Sequence, residues 1–353
     1  MRVFFRSRYH QLKTLYRQYE RILIPGMLIF GFVADYLTFT NIEVHFALLV
    51  LAGHFALAGS AIMFMQYYDA GRISQKFKFV RLAAPLANQF SFGALLGASF
   101  IFYWFSASLS VSWPFMILIA ALMVSNEVLR KHMLSPMVQV AAYSFISFSF
   151  FSIALPYLLN ALGSQVFLLA GLGSVVFMML YIFALARANG DITRHRTLSM
   201  RLVFLVFVIM TSLYYANVIP PIPLSIREAG VYYSVTRERN SYALVGEDES
   251  FVDRIIPGQI VYRNLGERLY VYTAIFAPAD IRTQLYHQWE YYDERNEQWV
   301  KRDRLSFGVT GGRKAGYRGY SFKTNVIPGK WRVSVENERG QALGRIGFTV
   351  REH

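Results

Sequence analysis

The period of the apolar positions divides the chain in two. From Ile22 to Val218 long apolar runs alternate with short polar connections; from Ser225 onward apolar and polar residues alternate in short segments. The hydrocarbon core of a bilayer takes about 20 consecutive apolar residues as a helix, so the runs predict membrane helices. Strict alternation over four to eight residues predicts half-buried strands. Seven runs qualify: Ile22 to Phe39, Val44 to Met65, Leu82 to Phe105, Ser110 to Val124, Met137 to Leu159, Val166 to Ala186 and Leu202 to Val218. The last lies inside the stretch Arg201 to Pro223, where Pro220, Pro221 and Pro223 stiffen the exit into the alternating region.

Strands are predicted around Val231 and Val235, then at Ile260 to Tyr262, Leu269 to Phe276, Gln284 to Tyr292, Trp299 to Phe307, Tyr317 to Thr324, Lys330 to Val335 and Gly344 to Val350. Turns fall at Ala277-Pro278, Asp293 to Asn296, Gly311-Gly312, Pro328-Gly329 and Glu338 to Gly340. Short strands at this spacing predict a small antiparallel sandwich of immunoglobulin-like type. Alternation places Leu285, His287, Trp289 and Tyr291 on one face and Tyr286, Gln288 and Glu290 on the other. It also aligns Trp331, Val333 and Val335, and Ile346, Phe348 and Val350. The expected fold is an α-helical polytopic membrane domain of seven spans followed by an all-β immunoglobulin-like sandwich. Its parts are a basic amphipathic helix over 1–21, a bundle over 22–222 and a β-domain over 223–353.

Charge gives this layout a direction. Lys and Arg number 16 before Ser225 and 20 from it onward, against six and 16 acids, so most of the net charge of +14 belongs to the membrane part. All 16 early cations fall in the N-terminal segment or in the second, fourth and sixth connections; the other connections have none. Cytoplasmic loops carry the excess of Lys and Arg. The N-terminus is therefore expected inside and the C-terminal domain outside. Trp104 and Trp113 bracket an outer connection, where an aromatic belt belongs. In residues 1–21, Phe5, Tyr9, Leu12, Tyr16 and Tyr19 share a helical face beside six cations, which suits a helix lying on anionic inner-leaflet lipid or a solvated basic arm. A nucleic-acid partner is not expected, because the basic excess sits in loops rather than on a soluble face.

Little chemistry accompanies this architecture. The absence of Cys excludes a thiol nucleophile and thiolate-bound metals. Zinc-protease, phosphate-loop and nucleophile-elbow motifs are missing, and each His lacks a spaced partner, so no catalytic residue, cofactor or metal is expected. The polar groups within the apolar runs that bear on transport are Asp35, His45, His54, Asn88 and Gln89. Asp35 lies near an outer end and reads as interfacial. His54, near mid-depth, is either a neutral imidazole bonded to a neighbouring helix or part of a proton relay. Gly93 and Gly97, with Ala52, Ala56 and Ser60, predict close packing of the second and third runs.

Five segments of the C-terminal third form a recognisable series. They are Tyr286-His287-Gln288-Trp289, Gly311-Gly312-Arg313, Gly316-Tyr317-Arg318-Gly319-Tyr320-Ser321, Gly329-Lys330-Trp331-Arg332-Val333 and Gly344-Arg345-Ile346-Gly347-Phe348-Thr349-Val350. This series resembles the bacterial C-terminal domain called domain of unknown function twenty-nine-fourteen, with His287, Trp289 and Trp331 as its motif core. The resemblance implies a bacterial envelope protein and no particular activity. From the alternation alone, His287 is a half-buried histidine bonded to backbone or, less simply, a ligand or a catalytic group.

Arg313, Lys314, Tyr317, Arg318 and Tyr320 form the candidate binding surface. Arginine and tyrosine among glycines suit an anionic sugar, a lipid headgroup or a partner protein; a solvated hairpin whose tyrosines serve the core is the plainer reading. The function expected is an inner-membrane protein presenting a ligand- or partner-binding β-domain to the periplasm. The alternative is a transporter or lipid-handling protein whose β-domain regulates it.

Overall fold

The computed structural model describes residues 44–106, 109–128, 136–188, 190–219, 224–238, 241–246, 259–264, 266–276, 282–310, 316–324 and 326–352, with scattered helical positions between 11 and 33. The chain forms two compact units. The first comprises Met1–Phe102, Pro114–Leu155 and Ser164–Tyr215; the second comprises Tyr103–Trp113, Pro156–Gly163 and Ala216–His353.

The helices are α1 (Val44–Asp69), α2 (Lys78–Ser106), α3 (Leu109–Val128), α4 (Pro136–Leu159), α5 (Ser164–Ala186), a single turn α6 (Gly190–Arg194) and α7 (Arg196–Tyr215). At 1.5 Å per residue the 26 residues of α1 extend for about 39 Å. Among the described residues four helical segments are long and apolar enough to cross a bilayer: Phe46–Asp69, Met137–Leu159, Ser164–Ala186 and Arg196–Tyr215. The expected count of seven is therefore not what the structure supports. The first expected run lies largely outside the described residues. Helix α2 is long enough, but Pro85, Asn88 and Gln89 interrupt its apolar character. The described apolar part of α3 is only Ser112–Leu122.

Local chemistry explains the helix ends. Pro136 opens α4, where a missing N–H costs nothing. Pro156 sits within that helix, which ends three residues later before Asn160 at φ 47°. Helix α1 ends at Asp69 and is followed by Gly71, φ 72°, whose N–H donates to the Tyr68 carbonyl. Asp69 then takes a paired ion contact from Arg81 of α2.

In the helical unit, tyrosine hydroxyls donate to backbone carbonyls of α1: Tyr143 to Phe55 at 3.0 Å and Tyr181 to Gly59 at 2.7 Å. A Cβ at Gly59 would lie 2.3 Å from the Tyr143 hydroxyl, so only glycine permits this approach. Phe55 stacks on Tyr143 and Phe150, and Ser174 donates to Ser147 across α5 and α4. Gly31 abuts the Phe90 carbonyl and Ala94 of α2, and α1 reaches α2 through His54, edge-on to Phe90.

The β-region contains β1 (Ser225–Tyr232), β2 (Ser234–Glu238), β3 (Ser241–Val245), β4 (Gln259–Tyr262), β5 (Leu269–Phe276), β6 (Arg282–Asp293), β7 (Gln298–Thr310), β8 (Tyr317–Lys323), β9 (Gly329–Asn337) and β10 (Ala342–Arg351). A three-stranded sheet, β1-β5-β8, and a five-stranded sheet, β4-β10-β9-β6-β7, share one core, and β2-β3 form a separate ribbon. Trp289, Trp331, Val333, Phe348 and Val350 from the larger sheet meet Val231, Leu269 and Val271 from the smaller. Trp289 stands edge-on to both Trp331 and Phe348.

Two details depart from the expected sandwich. Strand β4 pairs parallel to β10, so the larger sheet is not wholly antiparallel. Strand β3, unmarked by a clear alternation, exists by pairing with β2, and the ribbon covers Tyr272 and Ala274 on the outer side of β5. A bulge in β7 at Arg302 leaves the alternation along β6 intact.

Candidate functional site

The two-residue period of β8 divides the expected binding surface. Tyr317 and Gly319 pair with Ile275 and Thr273 of β5 on the core side, while Arg318 and Tyr320 pair with Ala274 and Tyr272 on the outer side. Tyr317 packs against the core around Ile275 and Leu285. Gly319 is required there, since a Cβ would stand 2.5 Å from the Phe307 ring. Arg313 and Lys314 lie outside the described residues, as does Asp35.

The outward residues join an aromatic row that the alternation of β8 alone does not reveal. Tyr320 is 41% exposed and Phe322 43%. Tyr270 of β5 lies 6.1 Å from Tyr320 and 5.5 Å from Phe322, between centroids. Tyr242 from the ribbon closes the row at 6.0 Å from Tyr320. Arg268 lies over Phe322 at 5.0 Å. Burial, aided by nearby Glu228, raises the Tyr272 hydroxyl pKa, and Arg318 opposes that rise. Period two in Leu269 to Phe276 could have shown Tyr270 and Tyr272 on one face; placing that face beside Tyr320 required the sheet register.

His287 takes a different place from the one expected. It is fully buried and bonds side chains, not backbone: Nε2 lies 3.0 Å from Thr273 Oγ1 and Nδ1 lies 2.8 Å from Ser321 Oγ. The Trp289 indole N–H donates to the same Ser321 oxygen at 3.0 Å. Either neutral tautomer satisfies this chain of donors and acceptors. Burial pulls the imidazole pKa down to about 3, so the ring is neutral at physiological pH. Ser321 beside His287 has the spacing of a nucleophile and base. The pair is sealed between the sheets, with the Phe307 ring 4.6 Å from the imidazole. Its work is cohesion between the sheets.

In the helical unit, His54 Nδ1, Asn88 Oδ1 and Ser91 Oγ are buried without a hydrogen-bond partner among the described residues, while Gln89 has a partner. Among the described residues no group of three His, Asp or Glu side chains could hold a metal ion.

No curated protein matches the chain. Among solved structures, an immunoglobulin-like protein from Pseudomonas aeruginosa is 14% identical over 36% of this chain and 96% of its own, with a TM-score of 0.22. A β-glucosidase from Listeria innocua with gluconolactone is 13% identical over 35% of this chain and 16% of its own, with a TM-score of 0.20. An alkylpurine DNA glycosylase from Pseudomonas fluorescens, bound to DNA with an abasic-site analogue, is 11% identical over 86% of this chain and 98% of its own, at 0.24. Likeness at these scores carries no functional argument. The C-terminal region is different: residues 282–350, from β6 to β10, match the family described as "Protein of unknown function (DUF2914)".

Proposed function

We propose that this is a bacterial inner-membrane protein that presents its β-domain to the periplasm as a binding module. In this reading the membrane helices carry the chain from a cytoplasmic N-terminus to an outer C-terminal domain, and the basic connections and the N-terminal segment lie on anionic inner-leaflet lipid. The ligand is a glycan, a lipid or a periplasmic protein. The supporting observation is the outward row of Tyr242, Tyr270, Tyr320 and Phe322, bordered by Arg268 and Arg318, in which Tyr320 and Phe322 stay exposed while Tyr242 and Tyr270 back them. Such rings bind apolar sugar faces or protein side chains, and neighbouring guanidinium groups fix orientation through charge-assisted bonds.

Two experiments test the reading. Alkaline phosphatase fused after His353 should be active in the periplasm, and an inactive fusion removes the proposed orientation. Full-length protein in detergent should retain specific ligands from glycan arrays and periplasmic extracts, with Tyr320→Ala and Arg318→Ala reducing capture. Equal capture by these variants removes the role of this face.

A transport or lipid-handling role has its own support in the unpartnered buried groups of His54, Asn88 and Ser91. Intramembrane polar groups are costly and commonly mark solute pathways. Substrate-dependent uptake into proteoliposomes that His54→Phe abolishes would favour this second reading.

A further inference from the structure

The β-region has a second apolar cluster, apart from the one around Trp289. Leu224, Ile275, Leu285, Val335 and Leu343 in it are each at most 2% exposed. They come from just before β1, the end of β5, the start of β6, the end of β9 and the start of β10, so they close the end of the sandwich at which the chain enters it. A residue from far earlier in the chain joins them. Leu162, in the connection between α4 and α5, packs against this cluster.

That connection has a defined shape. Asn160 and Gly163 take φ of 47° and 118°, and the Ala161 N–H donates to the Pro156 carbonyl at 3.2 Å, so Leu162 sits in a short hydrogen-bonded corner. Residues Pro156–Gly163 accordingly belong to the same compact unit as the strands. A polar tie reinforces the same end. In the β9–β10 turn, Asn337 Oδ1 accepts from the N–H groups of Arg339 and Gln341, both at 3.0 Å, and Asn337 Nδ2 donates to Gln341 Oε1 at 2.8 Å. Held in this way, Gln341 Nε2 donates to the carbonyl of Ile219, between α7 and β1, at 3.3 Å, and both residues are buried.

We propose that the β-domain takes the α4–α5 connection into its own core through Leu162, so that domain and connection order and loosen as one cooperative unit. A sandwich hung from α7 alone would leave this end of its core to solvent, whereas a leucine supplied from outside the strands removes that apolar surface from water. Segments that share a core open together, and the linkage runs both ways. A ligand that orders β6 or β9 therefore also orders the connection, and occupancy of the β-domain reaches α4 and α5 at that point. This coupling needs no particular ligand and does not depend on the aromatic row.

The test is hydrogen exchange of the full chain in nonionic detergent, followed by mass spectrometry. Leu162→Ala should speed exchange in β6 and β9 about tenfold, the scale of truncating a packed leucine. Leu162→Val, a milder truncation, should give a smaller increase in the same strands. In the reverse direction, Val335→Ala should speed exchange in the 156–163 connection. Leu158→Ala is the control: Leu158 is 74% exposed, and its loss should leave β6 and β9 protected as in the wild type. Faster exchange confined to the connection in both Leu162 variants, or a connection unchanged by Val335→Ala, would overturn the proposal. Equal effects of Leu158→Ala and Leu162→Ala on the strands would do the same.

Discussion

The Nδ1 atom of His287 lies 2.8 Å from Ser321 Oγ, and through this contact β6 of the five-stranded sheet is bonded to β8 of the three-stranded sheet. With Thr273 on the other ring nitrogen and Trp289 on the same serine, it forms a polar bridge inside an apolar core. Groups buried this way are costly when unpaired and cohesive when paired.

The bridge gives the β-domain an acid sensitivity. The folded imidazole has its pKa near 3, while an unfolded histidine takes a proton at about 6.5. Between those values the unfolded chain binds more protons, so stability is full above about pH 6.5 and falls as pH is lowered through the window, by at most about 1.4 kcal/mol per unit. His287→Leu is less stable at pH 7 but loses about 3 kcal/mol less than the wild type between pH 7 and 4. Denaturant unfolding followed by tryptophan fluorescence measures both; parallel pH profiles would contradict the assignment.

Ser321→Ala removes the acceptor for Trp289 and the partner of His287 Nδ1 together. An unsatisfied buried polar group costs about 1–3 kcal/mol, so this single-atom deletion should lower stability by at least that much. Ser321→Thr, which keeps the hydroxyl, separates hydrogen bonding from packing: a loss equal to that of alanine would assign the effect to shape.

Gly319→Ala tests the approach of β8 to Phe307. The new methyl group would stand 2.5 Å from the ring, so β8 or Phe307 must shift. Overpacking of this kind costs about 1–3 kcal/mol. Phe307→Leu should recover part of that loss in the double variant, and strictly additive losses would show that the two residues do not meet.

On the outer side of the same strand, Tyr320→Ala should change stability by less than about 0.5 kcal/mol, the range of surface substitutions. Its effect belongs to ligand capture. A large loss of stability would instead make Tyr320 part of the fold and count against the proposed binding face.

Some of this organisation was legible before any fold was known. The change from long apolar runs to alternating segments separates helices from strands, because a helix in lipid satisfies its own backbone while a strand needs partners. Leu269 to Phe276 could be delimited as β5, and alternation along 284–292 assigns Leu285, His287 and Trp289 to one face, which the structure buries. The number of crossing helices was less legible. Hydropathy counts runs, whereas Pro85, Asn88 and Gln89 make α2 a mixed helix whose environment depends on its neighbours.

Local period and composition settle the helical and β-rich regions, the cationic bias of the helical connections and the inward alternation of the core strands. Sheet register and packing were needed to turn Tyr317 inward while Tyr320 joins Tyr270 and Tyr242, and to bond His287 to Thr273 and Ser321. These are relations across strands distant in sequence. They depend on register and sheet packing, and no local pattern encodes which residues those bring face to face.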